Sequence, residues 1–189
     1  LQHDAMDCGP TCLRMIAKYY GKNYSLQTLR ERSFITREGV SMLGISDAAE
    51  SIGFRTLGVR ISLKQLHEDM PLPCVLHWNQ NHFVVLHDIR KRKDGFRYYI
   101  ADPASQLVTY TETEMRKCWL VTKTDSEEKG AALALEPSPQ FYEEKDEADQ
   151  QQGKGLLFFA KYLSPYRKEL IQLLLGMLVG TLLHLVFPF

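Results

Sequence analysis

Between His82 and Asp102 the chain reads as two strands joined by one tight turn. Residues 82–89 are a valine-rich apolar run. Asp94-Gly95 is a dipeptide that two-residue hairpin loops favour, and residues 96–101 form the return run before Asp102-Pro103. An antiparallel pair lays the start of one strand beside the end of the next. His82 and Asp102 are therefore expected together at the end remote from the turn, within a residue or two of register. The carboxylate can then accept from one ring nitrogen, leaving the other for a third group.

Cys8 is the candidate for that group. Asp7-Cys8-Gly9-Pro10 looks like a turn feeding a helix, and Cys12, Ile16 and Tyr19 or Tyr20 recur at helical spacing on one face, with Gly21 as the stop. A cysteine at the start of a helix faces free N–H groups and the positive end of the dipole, which favour the thiolate. Nucleophile, base and orienter are the parts of a cysteine hydrolase. The backbone N–H of Cys8 and the side-chain amide of Gln2 are candidate donors to an oxyanion.

The remaining pattern places helices first and antiparallel strands second, an α+β layout. Ser25 and Ser41 can cap short helices reaching Arg32 and Ile52, with Gly53 as a stop. Leu57, Val59 and Ile61 alternate as a strand, and residues 62–69 read as a short helix. Residues 74–78 form a compact apolar run before the turn-like Asn79-Gln80-Asn81. Residues 107–110 suggest a further strand, Thr111 with Glu114 a capping box, and residues 120–122 a strand closing the sheet.

Three regions follow from composition: a globular domain over 1–124, an acidic linker over 125–153, and a tail over 154–189. The linker holds nine acids against Lys129 and Lys145, with Pro137, Pro139 and a glutamine run, and reads as solvated. In the tail, residues 170–187 carry no formal charge, which is the length expected of a membrane span. Lys161, Arg167 and Lys168 with Tyr162 and Tyr166 give a basic, aromatic flank that places the preceding domain in the cytoplasm. The first residue is Leu1, so further N-terminal sequence is expected, and no signal peptide is visible.

Zero net charge argues against a general nucleic-acid binder. Cys8, Cys12, Cys74 and Cys118 are too few and too unevenly placed for a disulfide scaffold. Zinc ligation by Cys8, Cys12, Cys74 and His77 is disfavoured because the spacings are loose and no second C-x-x-C pair exists. Each residue alone has a plain structural alternative: Cys12, Cys74 and Cys118 as small core residues, Asp102 as a turn starter, Gln2 as a surface amide. His3 and His67 have no such partners, His77 is less well placed at a strand start, and His87 lies near the turn end of the hairpin.

Taken together, Gln2…Asp7-Cys8-Gly9-Pro10, Asn81-His82-Phe83-Val84-Val85 and Ala101-Asp102-Pro103 closely resemble the N-terminal cysteine peptidase domain of peptidase-containing ABC transporters, bacterial exporters that mature bacteriocins and related peptides. The resemblance spans about 1–124 and continues in kind through the tail, which is similar to the approach segment and first membrane helix of an exporter. It implies a papain-like fold and removal of a leader peptide after a Gly-Gly-type motif, coupled to export. It implies Cys8 as nucleophile, His82 as general base and acid, Asp102 as orienter and Gln2 as oxyanion donor. It further implies an amphipathic leader helix in a shallow apolar groove, a narrow passage for the two glycines, a homodimer through membrane domains, and residence in the bacterial inner membrane. No cofactor is expected in these residues; ATP and Mg are implied for a nucleotide-binding domain that has no counterpart here. The alternative is a module that docks cargo without cleaving it, and a further one is a free papain-like hydrolase of other amide bonds.

Overall fold

The structure is a computed structural model and describes residues 7–33, 39–120, 122–124, 127–143 and 166–186. The chain divides into two compact units, Leu1–Ala148 and Asp149–Phe189. In the first, α1 (Cys8–Tyr19) buries Cys12, Leu13, Ile16 and Ala17 along one stripe and stops at Gly21, whose φ of +90° suits glycine. Helix α2 (Leu26–Arg32) is capped by the Ser25 hydroxyl, which accepts from the Thr28 N–H. Helix α3 (Met42–Ser51) is capped likewise by Ser41. A Cβ on Gly9 would lie 2.3 Å from Val40 Cγ1, so glycine lets the start of α1 approach this close to the segment leading into α3.

Strands β1 (Phe54–Ile61), β2 (Cys74–Trp78), β3 (His82–Arg92), β4 (Gly95–Ala101), β5 (Leu107–Thr111) and β7 (Glu127–Pro137) form an antiparallel sheet in the order β1-β7-β2-β3-β4-β5. Side-chain alternation sorts the core into two layers. Val75, Phe83, Val85, Leu133 and Leu135 meet α1, α2 and α3 on one face. Leu76, Trp78, Val84, Leu86, Ile100 and Ala132 meet α4 (Leu63–Glu68) and α5 (Glu112–Trp119) on the other. Both Ser62 and Thr111 complete capping boxes, with Gln65 and Glu114. The α+β layout expected from the sequence is the observed one.

The expected linker is corrected by β7. Residues 130–137 occupy the interior of the sheet, paired with β1 from Phe54↔Pro137 to Ile61↔Gly130 and with β2 from Cys74↔Ala134 to Leu76↔Ala132. A strand covered on both faces shows a continuous apolar run instead of alternation. The run Ala131 to Leu135 is such a stretch, and the acids around it obscured it in the average composition. Gly130 admits Trp119, whose ring a Cβ there would meet at 2.3 Å. The indole N–H donates to Ala131 O at 2.9 Å. The strand expected over 120–122 is also corrected: β6 (Thr122–Thr124) pairs with the first residues of β7, outside the main strand order.

After β7, α6 (Pro139–Glu143) sets Phe141, fully buried, against Phe54 at 4.5 Å between ring centroids and against Tyr20 at 6.4 Å. Gly53, at φ +89°, lies under it: a Cβ would meet the Phe141 backbone N at 2.6 Å. Gly53→Ala is expected to lower stability by about 2–4 kcal/mol, from a strained φ plus a backbone clash, measured by urea unfolding. The rest of the expected linker, residues 144–153, lies outside the described residues.

In the second unit, α7 (Arg167–Val186) exposes Ile171, Leu173, Leu174, Leu175 and Met177. The sequence led us to expect a membrane span over 170–187. A helix is present, but among the described residues no helix is long and apolar enough to cross a membrane. Arg167, Lys168 and Glu169 occupy its first turn, and Gln172 and Thr181 interrupt its apolar course. The expected approach segment, 154–165, lies outside the described residues.

Candidate active site

Cys8 is the first residue of α1 and 5% exposed. Its helix crosses the sheet beside β3, and the buried Cys12 thiol donates to Phe83 O at 3.3 Å, fixing the helix next to the start of that strand. Val85 pairs with Ala101, the last residue of β4, so the chain leaving β4 brings Asp102 to the end of the sheet where His82 opens β3. A register irregularity between Leu86 and Asp88 shifts the hairpin toward its turn without disturbing this end. The result is a hydrogen bond of 2.8 Å between His82 Nε2 and Asp102 Oδ1. Asp102 Oδ1 also accepts from the Ala104 N–H at 2.9 Å, which orients the carboxylate.

The Cys8 thiol is the other group that acts on the His82 ring. With Nε2 committed to Asp102, Nδ1 is the ring nitrogen left for the sulfur. The thiol contact is the largest influence holding the imidazole up to about 8; burial opposes it, and the hydrogen bond and charge of Asp102 reinforce it. Burial pushes the Asp102 carboxyl up, but the His82 and Ala104 hydrogen bonds outweigh burial and hold it below its ordinary value. The two side chains are each 20% exposed, so the pair is shielded yet reachable.

Cys12, Cys74, Cys118, His67, His77 and His87 are occupied elsewhere. Burial pushes the Cys12, Cys74 and Cys118 thiols up, which suits core residues. His67 Nε2 shares a 2.7 Å hydrogen bond with the Tyr98 hydroxyl, and His77 packs beside the Phe83 ring at 5.0 Å. His87 lies 6.1 Å from the Tyr99 ring, toward the turn. Gln2 and His3 lie outside the described residues, so the structure does not place the expected oxyanion amide. Two open cavities flank the cluster. One of about 400 Å³ includes Thr11, Arg14, Lys18, Asp102 and Leu107. The other, of about 710 Å³, includes Val40, Met42, Val59, His77 and Phe83.

One ion pair beside Cys8 has no signal in the sequence. Asp7 is 1% exposed and takes a two-pronged contact from Arg30 on α2, with Nε donating to Oδ1 at 2.6 Å and Nη2 paired with Oδ2. The partners are 23 residues apart, and no motif links them.

A cysteine heading a helix, set against a histidine and an aspartate on an antiparallel sheet, is the arrangement of the papain-like fold. Residues 1–127 match the profile of the Peptidase C39 family, and the chain belongs to that family. The colicin V secretion/processing ATP-binding protein CvaB of Escherichia coli is 32% identical over 143 residues, covering 76% of this chain and 18% of that protein. The transport/processing ATP-binding protein ComA of Streptococcus pneumoniae strain R6 is 30% identical over 190 residues, 98% of this chain and 24% of that one. The chain thus spans a quarter or less of the length of these relatives. Among solved structures, a double glycine motif protease from an AMS/PCAT transporter in complex with its leader peptide superposes with a TM-score of 0.62 at 30% identity, covering 73% of this chain and 89% of that one. The peptidase domain of Streptococcus ComA gives 0.59 at 28% identity, over 72% and 96%.

Proposed function

We propose that this chain carries a cysteine endopeptidase that removes leader peptides after a Gly-Gly-type motif. The observation that carries this reading is the His82 ring, hydrogen-bonded to Asp102 at 2.8 Å and held up to about 8 chiefly by the Cys8 thiol. His82 Nδ1 takes the Cys8 proton, and the thiolate attacks the carbonyl carbon of the second glycine. The tetrahedral oxyanion accepts from the Cys8 N–H and from the Gln2 amide. His82 then gives its proton to the leaving amine, and a thioester remains. Water, deprotonated by His82, releases the leader and restores the thiol. Asp102 keeps the ring oriented and stabilises its charged form throughout. The apolar part of the larger cavity, with Val40, Met42, Val59 and Phe83, is suited to one face of a leader helix.

The relatives are transport/processing ATP-binding proteins, which supports coupling of cleavage to ATP-driven export. On this reading the peptidase faces the cytoplasm of a bacterium, α7 belongs to the first membrane element of an exporter, and two copies join through their membrane domains. ATP and Mg act at a nucleotide-binding domain outside these residues.

The test is incubation of the 189-residue chain with a synthetic precursor bearing a Gly-Gly site, followed by mass spectrometry. Cleavage after the second glycine is expected, with Cys8→Ala reducing it to background, about 10³-fold or more. Turnover that survives Cys8→Ala rejects the reading. Binding of the leader without turnover, indifferent to Cys8→Ala, replaces it with a docking module.

A further inference from the structure

Helices α2 to α5 use their polar caps in the ordinary way, and α1 does not. Ser25, Ser41, Ser62 and Thr111 each accept from a backbone N–H of their own first turn. Asp7 occupies the same position before α1, is a residue type that caps well, and makes no side-chain cap hydrogen bond. Its carboxylate is turned to Arg30, whose fork satisfies both oxygens. The first turn of α1 is also where the Cys8 sulfur sits, and its backbone N–H groups have no acceptor within the helix.

We propose that Arg30 is a positioning residue for Cys8: it holds the Asp7 carboxylate off the first turn of α1, keeping that turn's N–H groups for the anion formed at Cys8. The proposal rests on the peptidase reading for its consequence, because the anions concerned are the thiolate and the oxyanion. Two effects follow from the geometry. A carboxylate released onto the first turn would compete for the same donors. It would also bring an uncompensated negative charge beside the sulfur, opposing the thiolate that His82 must create. Among the described residues, the ionisable groups around Cys8 include His82 on β3, Asp102 beyond β4, Cys12 on α1, and the Asp7–Arg30 pair. Val40 and Ile45, which crowd Gly9 from the α3 side, carry no charge. Arg30 is thus the cation on the α2 side of this group, as His82 is on the sheet side.

This arrangement predicts an inverted hierarchy of variants. Arg30→Ala leaves the Asp7 carboxyl without its two-pronged partner and free to cap α1. Adding Asp7→Ala removes the competing carboxylate, so the double variant is expected to work better than Arg30→Ala alone. An ion pair that served only to hold α1 against α2 would show no such recovery. Arg30→Lys retains the charge but loses the two-pronged grip, and falls between.

The experiment uses the 189-residue chain and three readouts. The rate of Cys8 alkylation by iodoacetamide, followed by peptide mass at several pH values, reports the thiolate without any substrate. Cleavage of a synthetic Gly-Gly precursor gives kcat and KM. Thermal unfolding by circular dichroism reports whether each variant is folded. In Arg30→Ala, alkylation near neutral pH is expected to fall about tenfold and kcat by about 10²-fold with little change in KM, as for loss of placement at the reacting atom. Asp7→Ala with Arg30→Ala is expected to recover at least tenfold of the kcat loss while melting no higher than Arg30→Ala. Equal alkylation and kcat in wild type and a folded Arg30→Ala overturns the proposal, as does a double variant no better than the single. If Arg30→Ala does not fold, Arg30→Lys and Asp7→Asn decide: unchanged alkylation profiles in both overturn it. Failure of the peptidase reading looks different, since wild-type Cys8 would then react no faster than Cys118 and no variant would matter.

Discussion

A chain ended at Thr124 is expected to have no cooperative unfolding transition, whereas one ended at Glu143 is expected to fold. The shorter chain keeps every residue that bears on the chemistry, yet loses β7 from between β1 and β2. Leu133, Leu135 and Phe141 are all buried, and at about 1.5–3 kcal/mol per large apolar side chain they account for a loss comparable with the ~5–15 kcal/mol that holds a domain together. Ala132 and Ala134 go with them, and Trp119 loses the Ala131 carbonyl that accepts from its indole. Deletion also strips β1 of its recorded ladder and leaves one side of β2 open, an invitation to aggregate. Far-UV circular dichroism, near-UV circular dichroism and limited proteolysis of chains ending at 124, 137 and 143 check this. The chain ending at Pro137 retains β7 but not Phe141, and is expected to be folded and weaker by about 3–5 kcal/mol, the usual cost of emptying a large aromatic site. A folded chain ending at Thr124 would show that β7 is an accessory to the sheet and not part of it.

The hairpin and the helix caps were legible because they depend on neighbours in sequence. Ser25, Ser41, Ser62 and Thr111 announce their helices through bonds to residues three positions on. Asp94-Gly95 fixes which ends of β3 and β4 meet, and that places His82 beside Asp102. Cys8 at a helix start is equally local. The strand β7 was not legible, because its burial depends on partners 56–83 positions earlier in the chain while its own flanks are acidic. Average charge over residues 125–153 described the surroundings of the strand and not the strand. Arg30 was invisible for a related reason: a side chain 23 residues downstream, on a helix that looks like a surface element, closes over the residue next to the cysteine. Lateral neighbours in a sheet and long side chains reaching between helices are settled by tertiary packing, which periodicity does not encode.

His82→Ala is expected to reduce cleavage by about 10³-fold or more, and Asp102→Asn by clearly less, because the two residues act on different parts of the same proton transfer. Without the imidazole nothing takes the Cys8 proton or returns one to the leaving amine. With asparagine in place of Asp102 the ring keeps its contact to Cys8, which is the larger of the influences on it, and keeps an acceptor at Nε2, but loses the carboxylate charge. The pH dependence separates the two cases. The imidazolium held up to about 8 is the partner of the thiolate, so kcat/KM is expected to fall on the alkaline side near pH 8 in the wild type. In Asp102→Asn that alkaline limb moves to lower pH, since both supports contributed by the carboxylate raise the ring. The same shift enters stability. A histidine raised above its ordinary ~6.5 stabilises the fold fully below that value, and its contribution fades as pH rises through about 8. The Asp102 carboxyl, held below its ordinary value, contributes above that value and stops contributing as pH falls through its folded one. Melting temperature is therefore expected to decline between about pH 6.5 and 8 in the wild type and to be flatter there in Asp102→Asn. An alkaline limb that stays in place after Asp102→Asn would mean that the carboxylate orients the ring without charging it.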